Sequence, residues 1–388
     1  MLLGKAQSCF PRWGKGDDLM KRIEELLGAK TGEVVSVVPR YVLITNGFGH
    51  EITELASHVK NPDKALVVYD HNLPAGLPEE SKIFQEILQY ARKEKIPFYQ
   101  AKGIAQKWML EENMVAPTDI IITGTRHSSI FGSIGALGLG LSHTEMARVL
   151  ETGEYQTVVP ETVTVRVIGK LRRGVGIIDV ALHFLDAAGD IKGKAVEFIC
   201  PDLTAYEREV LCEMATDTGA FTAFAIEEGE SDMTLDLSQV GPMLRLPCAD
   251  LLSQTAAGVD RADILSGQKI HAVQLGGMNG GTLEALRTAA ALMEGKNLRK
   301  GVRLSICPVT ARTYLKALEE GLITKFIDFG AQIEASSDRD IVSQGAGVVG
   351  HKEILLTTGL YTFAGAMGCD DASVYTASVE TIMAAAAV

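Results

Sequence analysis

The chain has 388 residues, 46% of them hydrophobic and 22% charged, enough for two or three domains that bury their own cores without disulfides or structural metals. A net charge of −12 excludes nucleic acid as the main partner, because neutralising phosphates needs clustered lysine and arginine, yet a local pocket can still oppose that charge and take an anionic substrate. No stretch approaches the roughly 18 apolar residues of a membrane span, and the opening "MLLGKAQSCFPRWGKGDD" has no apolar run of signal-peptide length.

Six cysteines stand at Cys9, Cys200, Cys212, Cys248, Cys307 and Cys369, with no C-x-x-C pair. We therefore expect a cytoplasmic protein with reduced, mostly buried thiols and no membrane contact.

In chain order, "EVVSVVPRYVLITNG" reads as strand, turn and strand, and "KALVVYDHNLP" as a short buried strand ending at Asp70 and His71. "ESKIFQEILQYARKEK" carries apolar residues three and four apart, which predicts an amphipathic helix. "IPFYQA" and "DIIITG" are further strands, the second running into "TRHSSIFGSIGALGLGLSH". That stretch is too glycine-rich for an ordinary helix and too apolar for an exposed linker. We expect it to pack as a loop leading into a helix behind a ligand-facing turn headed by His127. Strand–helix alternation argues for α/β sheets, in which ligands sit beyond the carboxyl ends of the strands. Asp70, His71 and His127 all follow strand ends and are site candidates on that ground.

From "TVTVRVIGKL" the texture changes: "VGIIDVALHFLDAAG" is a helix, "KAVEFIC" a strand, and "TAYEREVLCEMATDTGAF" a long helix closed by Gly219. The acidic "EEGESDMTLDLSQVG" reads as a loop or solvated face. "KIHAVQLGGMNGGTLEALRTAAALMEG" restarts strand, glycine turn and helix, and "VRLSICPV", "ARTYLKALEEGL", "TKFIDFG" and "EILLTTG" continue the pattern. We expect three domains, at 1–157, 158–265 and 266–388. The glycines of "FGSIGALGLGLSH" do not match a dinucleotide fingerprint, and the chain holds neither a P-loop nor a G-x-S-x-G elbow.

The order of these motifs resembles the aconitase and 3-isopropylmalate dehydratase large-subunit family. "GIAQKW" and "ITGTRHSSIFGSIGALGLG" are similar to its G-I-x-H-Q, D-S-H-T and G-A-x-G segments, and "VYDHNLP" to its Asp-His motif. "LGGMNGG" is similar to its G-S-C-T-N-G turn, and "ASSDRDIVSQGAG" to its S-T-S-N-R-N-F-x-G-R region. The resemblance implies an α/β, aconitase-like large subunit of three domains. No segment similar to the family's C-terminal swivel domain follows, so a small swivel-domain subunit on a separate chain is the expected partner.

The resemblance also implies a 4Fe–4S cluster on three cysteines, and there the chain departs. Met278 stands at the first cluster cysteine, and the C-x-x-C loop between "KFIDFG" and "ASSDRD" has no counterpart. From this we expect no cluster; a single metal ion held by His71, His127 and Asp217 or Glu213 is the possible replacement. Gln106 replaces a family histidine, with Lys107 beside it. The D-S-H triplet becomes Thr125, Arg126 and His127. Asp217 stands for a glutamate, Glu213 for an asparagine, and the second arginine after Arg339 becomes Gln344. Asn46, Ser128, Met278, Asn279 and Ser337, beside these motifs, complete the expected substrate-binding set with Gln106, Lys107, Thr125, Arg126, Glu213, Asp217 and Arg339.

Two functional readings follow. One is a cluster-independent hydro-lyase or isomerase acting on a small carboxylate-bearing substrate. Its acid–base chemistry would come from Asp70–His71 and His127, with arginine binding the carboxylate. The other is a non-catalytic or repurposed relative that binds a ligand or a partner subunit. On the first reading His71, His127 and Arg339 face one cleft.

Overall fold

The computed structural model describes residues 22–47 and 51–388; the opening segment read for a signal peptide, and Cys9 within it, lie outside the described residues. Three largely parallel sheets with helices packed on them make an α/β architecture. Among the described residues, no helix is long and apolar enough to cross a membrane.

Val34–Val37 (β1) stands apart from the first sheet, which is built from Tyr41–Thr45 (β2), Ala65–Tyr69 (β3), Phe98–Gln100 (β4), Ile120–Thr123 (β5) and Leu137–Gly140 (β6). Its order is β4-β3-β2-β5-β6, all pairs parallel. Every residue of β3 is buried, as expected of an apolar run covered on both faces. The helix Pro78–Glu94 starts on a proline, whose missing N–H costs nothing in a first turn, and ends at Lys95 in the left-handed conformation. β1 pairs antiparallel with Tyr155–Val158 (β7) rather than with β2.

The second sheet comprises Thr162–Ile168 (β8), Ala195–Ile199 (β9), Thr222–Ile226 (β10) and Met233–Asp236 (β11), in the parallel order β10-β9-β8-β11. Of the loop or solvated face expected there, β11 forms part as an edge strand rather than a loop. Its Met-Thr-Leu-Asp alternation lets an acidic segment run along the sheet edge with Leu235 turned inward. The helix Ala205–Ala215 is fixed at its start by Thr204 and Glu207, which cap each other's backbone N–H groups.

The third sheet holds Met243–Arg245 (β12), Val259–Arg261 (β13), Ala272–Leu275 (β14), Arg303–Ile306 (β15), Gln332–Ile333 (β16), Ile354–Thr357 (β17) and Ser373–Ala377 (β18). Its order is β13-β12-β18-β17-β14-β15-β16. β12 and β13 precede residue 266, so the ladder of this sheet reaches back across the expected 265/266 division.

The glycine-rich stretch is a buried 3₁₀ helix, Arg126–Ile134, followed by β6, not a loop leading into a helix. It packs against Ala205–Ala215 and β10, and one continuous apolar core joins Phe131 to Phe198, Leu211 and Tyr361. Its glycines permit backbone-to-backbone contact: a Cβ on Gly138 would stand 1.7 Å from the Ser128 carbonyl oxygen, and one on Gly132 1.8 Å from that of Ala223. Gly138→Ala should therefore lower stability by about 1–3 kcal/mol, read as a lower melting temperature, because the blocking atoms are backbone and cannot rotate away.

Candidate active site

The carboxyl ends of the first and third sheets face each other across a small, tightly closed cleft. From the first sheet come Thr45, Asp70, His71, Gln106, Thr125 and His127; from the third, Met278, Asp338, Asp340, Leu360 and Tyr361. Each follows or ends a strand, the position where α/β sheets expose backbone and side chains to a ligand.

Asn46, just after β2, ties the Asp70–His71 turn in place. Its Oδ1 accepts from the N–H groups of both residues at 2.9 Å, and its Nδ2 donates to the His71 carbonyl at 2.9 Å. His71 Nδ1 lies 2.7 Å from Asp70 Oδ1, while the other Asp70 oxygen accepts from the Ala105 N–H at 3.0 Å. Across the cleft, His71 Nε2 is 3.4 Å from Asp338 Oδ2, and the Asp338 N–H donates to the Asp70 carbonyl at 2.7 Å. Gly47 closes over this ring: a side chain there would begin 2.0 Å from Nε2. Burial alone would depress the His71 pKa, but the carboxylates of Asp338 and Asp70, with Asp340 behind them, raise it to about 9. His71 is an imidazolium at neutral pH.

His127 is treated in the opposite way. Burial depresses its pKa, with Arg126 and Arg245 adding to the effect and Asp217 opposing it. Its Nε2 lies 3.0 Å from Asp217 Oδ1 and its Nδ1 3.5 Å from the Tyr361 hydroxyl. Burial would raise Asp217, but the guanidinium of Arg245, then His127 and Arg126, overcome it and hold the carboxyl well below its usual range. An ionised Asp217 only accepts hydrogen bonds, so Nε2 carries the proton and Nδ1 keeps its lone pair toward Tyr361 and the cleft.

The expected residues divide. His71, His127, Asp70, Gln106, Thr125 and Met278 come together in the cleft. Arg126 pairs with Asp217 at 3.0 Å and keeps about a third of its side chain exposed. Arg339 does not line the cleft; its Nε forms an ion pair with Glu334 at 2.7 Å, and it donates to the Ala346 carbonyl. Lys107 is buried against Glu209 at 2.6 Å. Ser128 bonds to Thr123 on β5, and Ser337 to the Ala335 carbonyl at 3.3 Å; these two hold the backbone. Glu213 and Asn279 are buried with no hydrogen-bond partner for either polar atom of their side-chain ends. Burial pushes Glu213 well above the carboxylate range, Lys107 opposing and Asp340 adding.

Asp338, Asp340, Tyr361 and Arg245 were not among the expected residues. Asp340 is buried, and burial with the neighbouring Asp338 charge raises it well above its usual value. The two aspartates stand where the family motif has asparagines flanking its arginine, a difference open to inspection in "SSDRD". Arg245 lies on the three-residue β12 and carries no motif at all. Among the described residues, His71, His127, Asp217 and Glu213 do not converge as a metal-binding set, which corrects the single-ion alternative; Asp217 is already held by His127 and two arginines.

A model of the aconitase family (aconitate hydratase) matches residues 48–232. The 3-isopropylmalate dehydratase large subunit of Pyrococcus horikoshii is 31% identical over 371 residues, covering 93% of this chain and 96% of that one. The homoaconitase large subunit of Thermus thermophilus is 26% identical, covering 92% and 91%. The holo-form of Thermococcus kodakaraensis aconitase X shares the fold, with a TM-score of 0.56 at 14% identity over 90% of each chain.

These relatives overturn the expectation that the chain carries no cofactor, because they belong to a family of 4Fe–4S enzymes. That expectation rested on absent motif cysteines, and a linear motif does not register a thiol delivered by another strand. Cys307, just after β15, is such a thiol. It lies directly beneath the turn bearing Met278, its Cβ 3.2 Å from where a Gly276 side chain would begin. Its Sγ donates to the carbonyls of Ala335 and Ser337, and burial pushes it up to about 12. One protonated thiol and a thioether are fewer donors than the thiolate set such clusters take from protein. With 31% identity maintained over nearly its whole length, the chain belongs to the aconitase and 3-isopropylmalate dehydratase large-subunit family.

Proposed function

We propose that this chain is the large subunit of a dehydratase-type hydro-lyase acting on a small hydroxy acid, with His71 as general acid and His127 as general base. The observation that carries this reading is the pair of imidazoles in one cleft, driven to opposite protonation states by different charged neighbours. Titratable groups pushed apart in this way are the signature of an assigned acid and base. The dehydratase and homoaconitase relatives support the reaction class.

Elimination of water removes a proton from the carbon next to a carboxylate and expels a hydroxyl from the neighbouring carbon. His127 Nδ1 takes the carbon-bound proton. His71 donates its Nε2 proton to the departing hydroxyl, so that an unsaturated acid and water leave. Asp70 orients the His71 ring, and Asp217 fixes the His127 tautomer. The partly exposed Arg126 guanidinium, beside Thr125 and His127, stabilises the carboxylate as negative charge develops on it. Arg339, committed to Glu334, acts in holding the "SSDRD" turn. The relatives named as large subunits support a separate small subunit as partner that closes the cleft.

The test is a panel of 2- and 3-hydroxy di- and tricarboxylic acids, assayed with a co-expressed small subunit by the absorbance of the unsaturated product. We expect turnover that depends on both histidines; binding without turnover across the panel would favour a ligand-binding subunit. His71 must be charged, so activity falls as pH rises through about 9. His127 must be neutral, so the acid limb lies below the ordinary histidine value of 6.5. Asp338→Asn removes the first of the charges raising His71 and should shift the alkaline limb to lower pH.

A further inference from the structure

We propose that His351, Cys369 and Asp371 form a second site, for a single zinc-class divalent cation, on the far side of the third sheet from the cleft. His351 lies in the turn before β17, and Cys369 and Asp371 lie in the turn before β18. These strands are parallel neighbours, so both turns are at the amino-terminal end of the sheet. The cleft residues Leu360 and Tyr361 follow the opposite end of β17. The site is therefore separate from the chemistry proposed above.

The donors converge. One ligand atom from each residue lies within 4.8 Å of the other two. His351 Nδ1 is 3.1 Å from Cys369 Sγ and 3.2 Å from Asp371 Oδ1. Zinc bonds of roughly 2.0–2.1 Å to nitrogen or oxygen and 2.3 Å to sulfur make tetrahedral edges of about 3.3–3.6 Å, so a few tenths of an ångström of outward movement admits the ion. The backbone already holds both turns at this spacing: Val349 bridges Gly368, the Cys369 N–H donates to the Val349 carbonyl at 3.1 Å, and the Lys352 N–H donates to Asp371 at 3.2 Å. His351 is 86% exposed and can turn without disturbing the core.

The donor chemistry selects the ion. Imidazole, thiolate and carboxylate together suit zinc, where calcium or magnesium would want oxygen alone. Thiolate and carboxylate also balance a 2+ charge, the thiol proton leaving to solvent as the metal binds. Three protein ligands leave the fourth position to water. Occupied, the site would pin the turn before β17 to the turn before β18.

The test uses the full chain, dialysed against chelator and titrated with cobalt(II), then zinc. We expect one cobalt per chain with a thiolate-to-cobalt charge-transfer band, displaced by one equivalent of zinc, and a zinc-dependent rise in melting temperature. Cys369→Ser should abolish the band and the rise, and His351→Ala should weaken binding by on the order of tenfold or more. Cys248→Ser, at a thiol bonded to Gln254 in another loop, should leave both unchanged. A Cys369→Ser variant that titrates like the parent, or a parent that takes up no cobalt, would overturn the proposal. Neither result bears on the cleft.

Discussion

Replacing Arg245 with methionine should destabilise the protein by about 3–5 kcal/mol, the largest effect we expect from any single change outside the apolar core. Arg245 is 1% exposed and pairs directly with Asp217, which is equally buried. Its second terminal nitrogen donates to the Gln254 carbonyl at 2.5 Å. Removing the guanidinium leaves the carboxylate with His127 and the partly exposed Arg126 as its cations. The carboxyl must then either stay charged in a poor environment or take a proton and release His127. Both outcomes are visible: denaturant unfolding reports the stability loss, and any residual activity should show an altered acid limb. Asp217→Asn combined with Arg245→Met should recover part of the stability, because the buried charge goes with its partner. A single Arg245→Met variant as stable as the parent would show that the pair does not hold the site.

The second large effect is on turnover. His71→Ala and His127→Ala should each lower kcat by about 10²–10⁴ while leaving the fold intact. Both rings face the cleft rather than the apolar core, so their removal opens space where substrate or water can enter. His71→Gln should not rescue, since an amide cannot deliver a proton; for His127, Asp217→Asn should lower activity less than removing the ring, because it disturbs the tautomer and leaves the base in place. The readout that separates chemistry from folding is kcat of protein that still unfolds cooperatively; His71→Ala should also lower the melting temperature, because it removes the cation from between Asp70 and Asp338. If either alanine variant unfolded the protein instead, that histidine would be a structural element of the junction between the sheets.

Much of the fold was legible because its strands are short apolar runs with clear punctuation. β3, β5 and β9 are buried on both faces and carry valine and isoleucine, so periodicity and flanking residues agree on them. β11 was hidden because acidic neighbours mask a four-residue alternation at a sheet edge. β6 was hidden because its Leu-Gly-Leu-Gly pattern is strand-like only once the backbone of Ser128 is known to press against Gly138.

The site divides along the same physical line. Short side chains fixed to strand ends, such as Asp70, His71 and His127, sit where the topology places them. Long charged side chains do not: Lys107 and Arg339 reach partners, Glu209 and Glu334, that sequence spacing cannot nominate. Arg245 is the converse case, a long side chain delivered into the site from a strand without any motif. Asp338 and Asp340 were readable in principle, since a carboxylate in place of an amide changes the charge facing His71. The expectation of a cluster-free chain is overturned by its relatives, since motif positions alone cannot report what a family binds.

The protonation states of the two histidines are read directly by a ¹⁵N imidazole titration of the intact chain, with His71→Ala and His127→Ala variants used to assign the signals. His71 should stay an imidazolium through neutrality and lose its proton near pH 9. His127 should stay neutral, protonated on Nε2, to below pH 6.5. Two histidines titrating together near 6.5, or a His127 that is charged while His71 is neutral, would contradict the assignment of acid and base.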